Sequence, residues 1–465
     1  MLQTQRRERD RLLPADRRVR DIARDLYERV AYAPIISPHG HVPAGWLADD
    51  VKFQDPSALL VTHDHYVTRL LHSAGVDLAA LGLGGHTADP REVWRLFASN
   101  WHLFTGTASG YWIHEALTDV LGVDRQLTAD TADEVYDHID ALLKTPECRP
   151  RALFERFGIE VLATTDDPLD NLDAHARIAS SGLHGRVLPT FRPDRYLNPE
   201  SEGFVDSVSS LLDTTGRAAS FSGYLNALRE RRQHFIQHGA VSTDHGVEEP
   251  FTVDMDEREA DLLFQEVLSG TATSEKKRAF LGHMILQMAR MSVEDGLVMT
   301  LHAGVVRNHH TETFRRFGSD SGHDFPRSTD FVRGLRPLLE RYGLERNFHL
   351  VLFAVDETVY SRELAPMASF YPSVYVGAPW WFLDAPDAMA RFRSAVTESA
   401  GFSRGSGFID DTRAFLSIPA RHDTARRTDA GFLARLVAEG RIGITAAENI
   451  IDDIVGPQPK RVFKL

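Results

Sequence analysis

Ala33-Pro34-Ile35-Ile36-Ser37-Pro38-His39-Gly40-His41 is a short apolar run that ends in two histidines. Runs this short and this apolar suit strands buried on both faces. On an extended strand residues i and i+2 point the same way, so His39 and His41 share a face. Seven further runs follow the same plan, at 160–165, 186–191, 240–244, 297–302, 349–354, 374–378 and 407–411. They are rich in Val, Ile, Leu and Phe, and several end in a residue able to do chemistry.

Most of the gaps between these runs can hold a helix. Residues 256–291 read at helical period through Leu262, Leu263, Phe264 and Val267, then Phe280, Met284, Ile285 and Met288. The segments 331–342 and 386–399 do the same. Strand then helix, repeated eight times, predicts an α/β fold of the (β/α)8 or TIM-barrel type, although a doubly wound open sheet also alternates. The gap between the first and second runs is far longer than one helix needs. Residues 45–150 are therefore expected to form a helical insertion after the first strand. The expected division is 1–44 for an N-terminal helix and the first strand, 45–150 for the insertion, and 151–465 for the rest of the barrel.

Composition narrows the function classes. Lys plus Arg is 52 and Asp plus Glu is 66, a formal net charge of −14. That balance argues against a nucleic-acid partner, which needs a basic field. An acidic small substrate is still permitted, because a local arginine cluster can oppose the global sign. The single cysteine, Cys148, allows no disulfide within the chain and fits a cytoplasmic setting. The first 13 residues are basic and polar, unlike a signal peptide. No stretch approaches the roughly 18 apolar residues of a membrane helix.

The strand ends carry the chemistry. His39 and His41 close the first run, His302 the fifth, and Asp410-Asp411 the eighth. A barrel brings all strand ends onto one rim, so these residues can converge across large sequence gaps. Such a set can hold a divalent metal, and its order is that of the amidohydrolase superfamily. Two arginines also follow runs: Arg192 after the third and Arg413 after the eighth. A guanidinium suits bidentate capture of a carboxylate, and equally a structural ion pair. Trp380-Trp381 after the seventh run can line a sugar pocket or simply pack.

Other motifs carry less. His63-Asp64-His65 lies in the helical insertion, where i and i+2 diverge. Gly401-Phe402-Ser403-Arg404-Gly405 matches G-x-S-x-G, but the order of helix and strand around it is reversed. Gly82–Gly85 lacks dinucleotide-loop spacing.

Several blocks together resemble the uronate isomerase family. Thr300–Asn308 is similar to the signature around "LHIGALRN", and Thr313–Gly318 continues it. Thr164–Pro168, Val187–Asp194, Asp64-His65-Tyr66 and Trp380-Trp381-Phe382 match further blocks, and Asp411–Ser417 looks like "DSRSFLS". The resemblance runs in order from about Pro34 to Arg427. The chain departs from the pattern at Gly40, where the family usually has Cys, at Val67 instead of Lys, and at Ala354-Val355-Asp356-Glu357, where an "LNP"-like block is expected.

The resemblance implies aldose–ketose isomerisation of D-glucuronate to D-fructuronate, or of D-galacturonate to D-tagaturonate, through a cis-enediol. It implies one divalent metal held by His39, His41, His302 and Asp411, zinc first, with manganese or iron as alternatives. A single ion is expected because the sixth run places His349 at its start, away from the rim. Asp411 is then the candidate base, Tyr66 the candidate proton donor, and His65 and Arg413 polar contacts to the substrate. Arg192 is the candidate for the sugar carboxylate. His302 is alternatively a substrate contact, and Trp380 a wall of the pocket. The expected partner is a small uronic acid, and the expected assembly a homo-oligomer without nucleic acid or membrane. The same ligand set also permits a metal-dependent hydrolase acting on a sugar-acid lactone, ester or amide.

Overall fold

The computed structural model describes residues 8–465; the first seven, part of the leader reading, lie outside the described residues. The strands are β1 (Ile35–Ser37), β2 (Ile159–Ala163), β3 (Arg186–Leu188), β4 (Ser242–Val247), β5 (Val298–Ala303), β6 (Val305–Val306), β7 (Phe325–Pro326), β8 (Leu350–Ala354) and β9 (Val374–Val376). They form a parallel sheet β1-β2-β3, a parallel sheet β4-β5-β8-β9, and a small antiparallel ribbon β6-β7. A parallel bridge between Phe191 and Thr243 joins the two larger sheets.

The strands alternate as buried parallel strands must. In β5, Met299, Leu301 and Ala303 pack outward among the helices, in the same apolar cluster as Leu350, Leu352 and Ala354 of β8. The intervening Val298, Val351 and Phe353 belong to a separate cluster with Ile409, Val462 and Phe463. His302 follows the period of Val298 and lies on that second face, its ring stacked on Phe353 at 4.1 Å. The C-terminal helix Pro457–Phe463 delivers Val462 and Phe463, and the Val462 carbonyl lies 2.7 Å from Nδ1 of His349, just before β8. The tail therefore fills the N-terminal ends of the strands and leaves their C-terminal ends for the site.

Between β1 and β2 the chain forms helices and no strand, including His65–Ser73, Pro90–Ser99, Ala108–Glu115 and Ala132–Leu143. These helices share one apolar cluster with Ile35, Ile159, Leu162 and Val187 of the first sheet. The expected helix over 256–291 is two, Glu257–Leu268 and Ser274–Asp295, parted at Gly270, which takes a φ of +72°. The helix expected over 331–342 likewise splits at Leu335.

The eighth run differs from its expectation. Residues 407–411 form no strand. Gly407 has a φ of +78° and Asp411 a φ of +40°, both outside the extended region. The segment is instead tied at its ends, by a parallel bridge from Gly405 to Val376 and by the His41 amide donating to the Thr412 carbonyl at 3.0 Å.

Candidate active site

Four of the residues that close the apolar runs converge. His41 Nε2 lies 2.9 Å from Asp411 Oδ1, His39 Nε2 lies 3.4 Å from the same oxygen, and His302 Nε2 lies 3.7 Å from Asp411 Oδ2. The His39 and His302 rings stack at 4.7 Å. Among the described residues, His39, His302 and Asp411 can bring one ligand atom each within 4.8 Å of one another. His41 adjoins that trio through its bond to Asp411.

This donor set fits a divalent cation. Two imidazoles and a carboxylate are suitable ligands, and the buried atoms His302 Nε2 and Asp411 Oδ2 have no hydrogen-bond partner. Unpaired buried polar atoms are costly unless something else satisfies them. The electrostatics agree. Burial pushes the Asp411 carboxyl up, but His39 and His41 outweigh it and hold it well below the ordinary carboxylate range. Burial opposes protonation of His39, while Asp244 and Asp411 overcome it and raise its pKa. For His41, burial wins and the pKa falls.

Asp244 was not among the expected site residues, yet it organises the site. It ends the fourth run, so the rule that picked out His302 and Asp411 could also have found it. Its Oδ1 lies 2.6 Å from His302 Nδ1 and accepts from the Thr300 hydroxyl at 2.8 Å. Its Oδ2 lies 3.3 Å from Arg192 Nη1. Arg192 in turn donates from Nε to Asp194 at 2.9 Å. The arginine at the third strand end is thus held between two acids.

The helical segment between β1 and β2 and the loops after β5 and β9 complete the pocket, a cavity of about 830 Å³. Tyr66 enters from the helix His65–Ser73. Its hydroxyl donates to Asp384 Oδ1 at 3.1 Å and accepts from the Phe382 amide at 3.0 Å. Burial first, and Asp384 second, push its pKa well up, so the phenol stays protonated. Both nitrogens of the His65 ring are buried without a partner. Burial and then Arg413 push His65 down to about 3, so this ring is neutral at working pH. Arg413 donates to Asp320 Oδ2 at 3.1 Å. Trp380 meets the His302 ring edge-on at 4.6 Å. Asp384, Asp320 and Arg421, which also line the cavity, carried no local signal.

An α/β scaffold with a buried imidazole–carboxylate cluster at the C-terminal ends of parallel strands, able to hold a cation, has the layout of an enzyme active site. The comparisons with known proteins agree on the family. The glucuronate isomerase family pattern matches residues 17–463, and the chain belongs to that family. A uronate isomerase of Corynebacterium efficiens is 52% identical over 98% of both chains. The crystal structure of glucuronate isomerase from Caulobacter crescentus superposes with a TM-score of 0.97 at 46% identity, covering 99% of this chain and 97% of that one. That of uronate isomerase from Thermotoga maritima gives 0.92 at 29% identity, covering 98% and 99%.

Proposed function

We propose that the protein interconverts D-glucuronate with D-fructuronate, D-galacturonate with D-tagaturonate, or both. The observation that carries this reading is the convergence of His39, His302 and Asp411 in a chain whose full length matches uronate isomerases. On the same reading the two parallel sheets are arcs of one (β/α)8 barrel, with 405–412 as the eighth stave and 45–150 as the helical insertion. Residues 1–44 then carry the first strand and 151–465 the remainder.

One divalent ion, zinc by preference and manganese or iron as alternatives, would be held by His39, His302 and Asp411, with His41 beside them. Such an ion supplies positive charge to the oxygens of the sugar as negative charge develops on them. The chain's own groups do the rest. Arg192 pairs with the sugar carboxylate, and its neighbours Asp194 and Asp244 fix the guanidinium in place. Asp411 removes the proton at C2 of the aldose, and Tyr66, kept protonated, donates to the C1 oxygen. The resulting cis-enediol receives a proton at C1 as the C2 hydroxyl gives one up, so the hydrogen count is unchanged. His65 and Arg413 contact the hydroxyls, and Trp380 walls the pocket. Because Asp411 is held at low pKa, it is a weak base for carbon, and the reaction needs strong stabilisation of the enediolate oxygens.

We read the enzyme as cytoplasmic and homo-oligomeric. Its one cysteine is buried and free, and no helix among the described residues is long and apolar enough to cross a membrane. The test is an isomerase assay on both uronates after bound metal has been measured. Keto-sugar formation dependent on metal is expected. Hydrolysis of sugar-acid lactones without uronate turnover would replace this reading with the hydrolase one.

A further inference from the structure

Asp411 has a backbone φ of +40°, a left-handed conformation that is unfavourable for a non-glycine residue. Such a conformation persists only where the surroundings impose it. The residue before it is gripped at both of its polar ends by consecutive residues of the helix Ile418–Ala438. Arg421 Nη1 donates to the Asp410 carbonyl at 3.2 Å, and His422 Nε2 lies 3.0 Å from Asp410 Oδ2. The Asp410 carbonyl and the Asp411 amide belong to one planar peptide unit. A donor fixed on that oxygen therefore fixes the plane from which the φ of Asp411 is measured.

Arg421 is itself immobilised. It is 3% exposed, its Nε donates to Ser417 Oγ at 3.1 Å, and its guanidinium lies 3.5 Å over the Trp112 ring of the insertion. The Nη1 that reaches Asp410 also donates to Asp384 Oδ2 at 2.7 Å. Asp384 in turn accepts from the Tyr66 hydroxyl. One buried cation thus touches the backbone behind Asp411 and the carboxylate that holds Tyr66.

We propose that Arg421 is a positioning residue: it clamps the 410–411 peptide so that the Asp411 carboxylate faces His39 and His302, and through Asp384 it sets Tyr66 in register with that carboxylate. The proposal rests on the reading of Asp411 as metal ligand and base. Arg421 makes no hydrogen bond to the Asp411 carboxylate and meets Tyr66 only at 5.9 Å over its ring, so its substitution acts by misplacement and not by removing a ligand.

The test uses Arg421→Gln and Arg421→Lys in the full chain, with zinc as the probe metal. A single ammonium cannot serve Asp384, the Asp410 carbonyl and Ser417 together, so Lys is expected to recover only part of the function. Arg421→Gln should weaken zinc retention in a chelator competition by roughly tenfold or more, as loss of outer contacts does. It should lower kcat for the uronate by about a hundredfold with KM nearly unchanged. In an Asp411→Asn background, the same substitution should cost no further zinc affinity, because the group it aims is already gone. A crystal structure of Arg421→Lys should show Asp411 moved from its left-handed φ. If Arg421→Gln fails to fold, Arg421→Lys carries the same readouts. Wild-type zinc retention with Asp411 unmoved, or full additivity with Asp411→Asn, overturns the proposal. A wild-type enzyme that turns over neither uronate defeats the isomerase reading, while zinc retention and the Asp411 backbone still decide the role of Arg421.

Discussion

His302 and Asp244 meet at 2.6 Å, imidazole Nδ1 to carboxylate Oδ1, with the second carboxylate oxygen turned to Arg192. The contact occupies Nδ1 and leaves Nε2 turned toward Asp411. Asp244→Asn removes the charge and keeps the shape. Metal affinity is expected to fall by roughly 10- to 100-fold, read by chelator competition. Unchanged affinity would show that Asp244 serves Arg192 alone.

His39 and His41 differ in how they meet the site. His39 belongs to the trio within ligand reach, whereas His41 contacts it through Asp411. His39→Ala should purify folded with much less bound metal. His41→Ala should retain more metal than His39→Ala. Full metal content in the His39 variant removes the proposed site.

Arg192→Met keeps much of the stem and loses the charge. The KM for a uronate should rise strongly, on the order of tenfold or more for a lost charge-assisted contact, while an uncharged aldose should show no comparable change. An equal effect on both substrates assigns Arg192 to the Asp194–Asp244 ion pairs only.

Asp411→Asn should lose several orders of magnitude in kcat, on the scale of combined acid–base and electrostatic effects. The wild-type reaction in deuterated water should place deuterium at the carbon that accepts the proton, to an extent set by exchange at the base. A variant that keeps its metal and near-normal turnover would pass the role of base to Tyr66 or His65.

Stability should depend on His175. Burial pushes it down to about 4, from an ordinary value of 6.5, and its Nε2 lies 2.8 Å from the Thr164 hydroxyl. As pH falls below 6.5, the unfolded chain takes up this proton before the folded one does. The contribution is therefore complete above pH 6.5 and lost on the way down to about 4, at most about 3 kcal/mol. His65, pushed to about 3, adds loss of the same sign. Asp166, raised by burial to about 6 from 3.8, has the opposite sign, since its folded form holds the extra proton between those values. Urea midpoints measured from pH 7 to pH 4 should fall less steeply in His175→Gln than in the wild type. Parallel curves would refute the assignment.

The strand plan and much of the rim were legible along the chain, because a buried parallel strand is written in consecutive residues. Leu297–His302 shows its burial, its face and its terminal histidine within six positions, and β5 (Val298–Ala303) carries His302 into the site. Asp411 was legible for another reason: the Asp–x–Arg block at 411–413 is local too. The eighth run reads as a strand but forms none, because apolar content does not encode the left-handed conformations at Gly407 and Asp411. The segment is tied to Val376 and His41, both distant in sequence, and to Arg421 on the helix that follows. The grip of Asp384 on Tyr66 likewise joins residues 318 positions apart. Periodicity records which residues are buried, since burial is a property of each position and its neighbours. Which buried acid faces which base depends on where separate elements come to rest against one another, and only the folded chain decides that.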